Sequence, residues 1–291
     1  MLRDLNRIWK HHPLYFLCSI IYFYLGGRFL GGTIGSFIIA FVLYMVSIMI
    51  AISPAGEKVF RFMYGIRKLE TNEEKEYLKP IFRDVIDSIY NYKKSKFGGY
   101  GLIEICVIDK MDVNACAVGK RTIAVTKGAI KAFDEEQLKG VIAHEVGHLA
   151  ACDTIANLFL VVGSGYCYLY VLLANLVLLL IDKIAGITND KKTGRLIYSI
   201  FRWICKTIIF IFSFLTQVTL AIESRRREYA ADHTAYRLGY GEGLISALYL
   251  LEKINLGDNS TITQKITASH PRVTARIGEL EYYVSEGKES I

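Results

Sequence analysis

The stretch His144-Glu145-Val146-Gly147-His148 decides how this chain is read. Two imidazoles four residues apart on an α-helix lie on one face, so they can grip a single metal ion together. Glu145 stands one step round from His144, within reach of a proton on a water held by that ion. The helix is signalled locally. Asp134 and Gln137 have capping-box spacing, and Leu138, Val141, Ile142 and Leu149 supply an apolar face. A helix with two surface histidines and a solvated glutamate would share the pattern. Against that reading, the chain has only six histidines and two of them fall at ligand spacing.

A catalytic zinc ion takes three protein ligands and keeps a fourth position for water or substrate. Far downstream, the segment Glu223 to Ala235 carries Glu228 and Asp232 four residues apart, on a predicted helix ending near Gly239. Ala230 and Ala231 between them are small enough to let this helix approach the first one closely. Glu228 is the candidate third ligand. Asp232 is a candidate acceptor that would fix the tautomer of a ligand histidine. Taken alone, the segment reads more simply as an Arg/Glu surface helix with ordinary charge pairs.

Taken together, five motifs resemble the M48 family of membrane zinc proteases, and within it the bacterial HtpX-like group. They are Asn114-Ala-Cys-Ala-Val-Gly119, Val125-Thr-Lys-Gly128, His144-Glu-Val-Gly-His148 with Asp153 beyond it, Arg225-Arg-Arg-Glu-Tyr-Ala-Ala-Asp232, and Ser269-His-Pro271. Their order carries the resemblance, which runs from residue 57 onward. It implies one zinc ion per chain held by His144, His148 and Glu228, with Glu145 as the general base. It also implies that Asp232 and Asp153 orient the histidines and that the strand Asn114, Ala115, Cys116, Ala117 borders the cleft. An edge there would take an extended peptide as an added strand. By the same resemblance His270 is the candidate oxyanion donor, with Arg272 a weaker one. The chain departs from the family at Cys116, where an aromatic is common, and before Pro13, where no family signature appears.

Composition frames these motifs. The chain has 291 residues, of which 52% are hydrophobic, and the excess is concentrated in blocks. Thr33 to Ile52 and Ile155 to Ile181 are uncharged and long enough to cross a bilayer, which takes about 20 residues. Thr207 to Ile222 is apolar, and Leu196 to Cys205 extends it with one arginine. Leu14 to Leu25 is shorter, but Gly26, Gly27 and a snorkelling Arg28 let it complete a hairpin with the next block. A cleavable signal peptide over residues 1 to 25 is the competing reading, and no small-x-small site closes the run. His144 precedes the second pair of blocks and Glu228 follows it. If both ligate one ion, the segment between must return to its starting side. Arg3, Arg7, Lys10, Lys58, Arg61, Arg67, Lys68 and Arg225 to Arg227 favour a cytoplasmic face for the catalytic parts, while Lys183, Lys191, Lys192, Arg195 and Arg202 weigh against it. The net charge of +7 fits contact with anionic head groups rather than nucleic acid. Six cysteines form no C-x-x-C pair, so neither a disulfide scaffold nor a cysteine zinc knuckle is expected. Cys116 and Cys152 read as small core residues.

The expected fold is mainly α: an integral membrane protein with about four hydrophobic helices and a zincin-type α+β catalytic domain carrying a small antiparallel sheet. Residues 1–56 form an N-terminal membrane hairpin and 155–222 a second one. Residues 57–154 and 223–291 are the two halves of the protease domain. Within the first half, residues 57 to 98 are expected as charged amphipathic helix ending at a loop around Lys96 to Gly101. The runs Ile103 to Ile108, Val113 to Val118 and Thr122 to Thr126 supply the strands. The expected activity is zinc-dependent endopeptidase cleavage of polypeptides, membrane proteins among them, in quality control at a bacterial inner membrane. The alternatives are a CaaX prenyl-type protease, which would carry more spans, and a catalytically idle membrane metalloprotein acting as a scaffold. An intact Glu145 argues against the second.

Overall fold

The computed structural model describes residues 12–92, 103–185, 191–256 and 273–286. The chain forms two compact units: Ile52–Ile155 together with Ala221–Ile291, and His12–Ala51 together with Ala156–Leu220.

The first of these holds the sheet and the motif helix. Helix α3 (Pro54–Tyr64) starts on a Ser53 cap whose hydroxyl accepts from the Gly56 amide, and it stops at Gly65, which adopts φ 67. Strand β1 (Ile66–Lys68) follows, then helix α4 (Asn72–Tyr92). The continuous helix expected over 57 to 98 is therefore broken. Gly65 reverses the chain in the left-handed region open to glycine, and buried Ile66 pairs with Ile108 across the sheet. The expected loop at Lys96 to Gly101 lies outside the described residues.

Strands β2 (Glu104–Ile108), β3 (Ala115–Val118) and β4 (Thr122–Thr126) complete a sheet of order β1-β2-β4-β3. The sheet is mixed, which corrects the antiparallel expectation: β2 and β4 run parallel, with Cys106 opposite Ala124. Burial explains the arrangement. Every residue of β4 is buried whereas β3 is half-buried throughout. The apolar second arm of the β3–β4 hairpin therefore takes the interior position beside β2, leaving β3 at the edge.

One face of the sheet, with Ile105, Val107, Ile123 and Val125, packs on Leu78, Ile81 and Val85 of α4 and on Leu138, Ile142 and Val146 of the motif helix α6 (Glu135–Ala151). A short helix, α5 (Lys127–Ala132), is capped by Thr126 and leads into α6. The predicted capping box is present. Asp134 accepts from the Gln137 amide at 2.9 Å, and the Gln137 side chain accepts from the Asp134 amide at 3.0 Å. Such a cap contributes about 1 kcal/mol. Helix α7 (Asp153–Ala185) starts one residue after α6 ends. The long helix α8 (Lys191–Arg237) carries Glu228 and Asp232 near its C-terminus, and α9 (Gly241–Leu256) and α10 (Val273–Glu286) close the unit. α9 crosses α6 at glycine on both sides. A Cβ on Gly140 would stand 2.3 Å from the Leu244 amide nitrogen, and one on Gly243 would stand 2.2 Å from the Glu136 carbonyl oxygen.

The second unit contains α1 (Pro13–Phe29), α2 (Ile34–Ile52) and the apolar parts of α7 and α8. Gly26 and Gly27 sit inside α1, and the chain turns at Gly31 and Gly32, both at positive φ. Polar side chains tie these helices together: Tyr44 donates to the Phe159 carbonyl at 2.8 Å, and Ser47 pairs with Tyr166 at 2.7 Å. Outward faces carry Ile38, Ile50, Leu172 and Leu176, all exposed. Among the described residues, Ile34–Ile52 and Asp153–Val177 are long and apolar enough to cross a membrane.

Candidate metal centre

His144 and His148 project from α6 toward Glu228 on α8. One ligand atom from each of the three lies within 4.8 Å of the others, and His144 and Glu228 are buried. The two Nε2 atoms are 3.2 Å apart, and the Glu228 carboxylate oxygens lie 3.5 Å from His144 Nε2 and 3.6 Å from His148 Nε2. The helices approach this closely because residue 147 is glycine. A Cβ there would stand 2.8 Å from Ala231 Cα and 3.1 Å from its Cβ.

The remaining ring nitrogens are held by carboxylates. His144 Nδ1 lies 2.8 Å from Asp232, and His148 Nδ1 lies 2.7 Å from Asp153. Each Nδ1–H is thus directed to an acceptor, which leaves the Nε2 lone pairs facing one another. Two lone pairs at that separation repel unless a proton or a metal cation lies between them. Nitrogens each about 2.0–2.1 Å from a tetrahedral ion lie roughly 3.3 Å apart, so the donor set fits a zinc-sized ion. Burial disfavours the His144 imidazolium, but the Asp232 and Glu228 carboxylates outweigh it and push its pKa up to about 9. A metal ion entering below that pH displaces a proton.

Asp153 reaches His148 through a bend at Cys152, the one non-glycine residue at positive φ (65°) among the described residues. A left-handed conformation costs an L-residue roughly 1–2 kcal/mol. The bend swings the first residue of α7 back beside the last turn of α6. Thr154 secures it by donating to the Gly119 carbonyl in the β3–β4 turn at 2.6 Å.

Glu145 is buried on α6. β3 packs against this helix, and burial together with the Glu145 carboxylate pushes the Cys116 thiol up to about 12. Asn114, Ala115, Cys116 and Ala117 therefore line the sheet edge next to the motif helix. Among the described residues, β3 pairs on one side only. His270 and Arg272 lie outside the described residues.

One central residue escaped the sequence reading. Arg276 on α10 is buried; its Nε and Nη2 donate to the two Asp232 oxygens at 2.8 and 2.6 Å, and its Nη1 lies 3.0 Å from Glu228. Burial opposes its charge, but Asp232 and Glu228 hold its pKa above the ordinary arginine value. The same contacts, with His144, hold the Asp232 carboxyl below its usual range against burial. The available signal was position. Arg276 shares a helix face with Val273, Ile277 and Leu280, and a charge in an apolar stripe requires a buried partner.

Fold and donor set together define a metal-dependent hydrolase built on an H-E-x-x-H helix. The chain belongs to peptidase family M48, a family of zinc metalloproteases, whose model matches residues 72–284. It is 26% identical over 208 residues to the Protease HtpX homolog of Desulfotalea psychrophila, covering 65% of this chain and 70% of that one. To the Protease HtpX of Shewanella baltica it is 28% identical over 173 residues, 58% of each chain. The chain thus spans 58% to 70% of the length of these relatives. The fold is also that of Ste24p from S. mikatae, with a TM-score of 0.50 and 17% identity, covering 96% of this chain and 65% of that one.

Proposed function

We propose that this chain is a zinc-dependent membrane endopeptidase that cleaves polypeptides, misfolded membrane proteins among them. The observation that carries the reading is the pair of Nε2 atoms 3.2 Å apart, each ring backed by a carboxylate and both within 3.6 Å of Glu228. Histidines placed only for packing do not need that arrangement.

In this reading His144, His148 and Glu228 hold one zinc ion. When bound, the ion supplies Lewis acidity toward water and the scissile carbonyl. Glu145 takes the proton of the attacking water and returns it to the leaving amine. Asp232 and Asp153 keep the ligand imidazoles in one tautomer, and Arg276 balances the Asp232 and Glu228 charges. The edge of β3 over Asn114 to Ala117 takes the substrate backbone as an added strand, which accepts many sequences. Proline at Ala115 or Ala117 then abolishes turnover in a protein that still folds. His270 is the proposed donor to the developing oxyanion, and a His270→Ala variant of unchanged turnover number would move that role elsewhere.

The four apolar segments at residues 14–25, 33–52, 155–181 and 196–222 are read as two membrane hairpins, residues 1–56 and 155–222, flanking the two halves of the protease domain. The sheet and metal centre are placed on the cytoplasmic side of a bacterial inner membrane. The test is cleavage by the purified, zinc-loaded chain of an unfolded membrane-protein fragment and of a prenylated peptide. Cleavage of the fragment that disappears in Glu145→Ala, while that variant keeps its zinc, supports the reading. Preference for the prenylated peptide points to a CaaX-type enzyme, and zinc binding without cleavage of either points to a scaffold.

A further inference from the structure

Helix α3 is amphipathic in the opposite sense from a helix on a water-facing surface. Two of its three charged residues, Glu57 and Arg61, point into the protein. The buried Glu57 carboxylate accepts from the Thr122 hydroxyl in a short hydrogen bond, and Arg61 donates to Thr122 Oγ1 at 2.8 Å and to Glu104 at 2.7 Å. Three of its apolar residues point outward: Val59 is 57% exposed, Met63 71% and Phe62 87%, while Phe60 is half-buried. Ala55, Val59, Phe62 and Met63 recur at helical spacing and form one stripe, flanked by exposed Lys58 and closed by exposed Tyr64.

Such a stripe needs a partner less polar than water, and the chain itself indicates which. Only Ser53 separates α3 from α2, the uncharged 19-residue helix Ile34–Ile52. One residue spans at most about 3.6 Å. If α2 crosses the bilayer, the first turn of α3 therefore lies at its surface. Phenylalanine, methionine and valine beside a lysine, with a terminal tyrosine, suit the boundary between head groups and acyl chains.

We propose that α3 is an interfacial helix whose Val59, Phe62 and Met63 insert into the acyl boundary of the lipid surface. Its opposite face is fastened to the β3–β4 turn. The Lys120 amide lies 3.5 Å from the Glu57 carboxylate, and a Cβ on Gly119 would stand 2.7 Å from that group. The lipid contact thereby holds the hairpin that carries the β3 edge at the membrane surface. The inference rests on α2 crossing the membrane and is independent of the metal chemistry.

The test uses the full chain with Trp9→Phe and Trp203→Phe, reconstituted in vesicles whose lipids carry bromine at shallow or deep acyl positions. Phe62→Trp and Met63→Trp, each introduced alone, should emit to the blue and be quenched most by shallow bromines. Leu43→Trp, at the middle of α2, should be quenched most by deep ones. Tyr282→Trp, at an exposed position of α10, should remain unquenched. If Leu43→Trp is quenched while both α3 tryptophans emit to the red and are not, the proposal is overturned and the membrane reading stands. Blue emission at residues 62 and 63 without quenching means that protein, a second copy or another partner, covers the stripe, which also overturns it. Without quenching of Leu43→Trp the crossing of α2 fails, and the proposal with it.

Discussion

Replacing Gly147 with alanine tests how tightly the two halves of the metal centre are matched. The added methyl would sit 2.8 Å from Ala231 Cα and 3.1 Å from Ala231 Cβ. Carbon atoms pack best at about 3.5–4.0 Å, so α6 and α8 must separate locally by roughly 0.7–1.2 Å. Ala231 lies between Glu228 and Asp232, and that displacement moves both carboxylates away from the histidines. Metal–ligand distances tolerate only about 0.2 Å. Overpacking of this kind costs about 1–3 kcal/mol, and the better helix propensity of alanine returns up to about 1 kcal/mol. The loss of global stability is therefore modest, whereas zinc affinity should fall roughly 10- to 100-fold, as when groups supporting metal ligands are disturbed. Chelator competition on the purified full chain reads this directly. Gly278→Ala is the control, because its Cβ meets nothing within 4 Å. Parental zinc affinity in Gly147→Ala would refute the argument that the 147–231 contact sets the ligand geometry.

Three further outcomes are expected. Arg276→Met removes the partner of two buried carboxylates and should destabilise the protein by about 3–5 kcal/mol, with Arg276→Lys losing less; equal denaturant midpoints for Met and parent would contradict this. Because Asp232 and Glu228 lift the His144 pKa to about 9, zinc competes with a proton, and apparent affinity should fall about tenfold per pH unit below 9. In chelated protein the same raised pKa contributes stability that is complete below the unfolded value of about 6.5 and is lost as pH rises through about 9. A flat zinc affinity between neutral and mildly acidic pH would count against the proton displacement. At the far edge of the sheet, the Arg67 guanidinium holds the Glu74 carboxyl at about 2. That depressed pKa contributes stability present above the ordinary value of 4.5 and lost as pH falls through about 2. Glu74→Gln should therefore flatten the acid limb of a stability–pH curve, and an unchanged limb would show that the pair contributes nothing.

The readable parts of this protein are those governed by interactions along a few residues of chain. The capping box at Asp134 and Gln137, the shared face of His144 and His148 and the apolar run Thr33 to Ile52 follow from helix geometry and transfer chemistry, and all appear at the expected places, the last as the helix Ile34–Ile52. Where helix was expected across residues 57 to 98, a glycine at φ 67 and a three-residue strand intervene. A strand so short has no periodicity of its own, and only its pairing with β2 makes it one. Strand runs were legible but their order was not, because direction depends on which arm of the β3–β4 hairpin finds a buried neighbour. Arg276 was missed for a related reason: its meaning lies in Asp232 and Glu228, on a different helix. By itself, then, the sequence determined a metal-binding half-site on one helix and the apolar blocks around it, since each is a local pattern. Only the tertiary structure brought Glu228 to the two histidines, set two carboxylates and an arginine around them, and turned the apolar stripe of α3 outward. Those facts depend on helices distant in the chain meeting at Gly147 and Ala231, and no local pattern encodes that meeting.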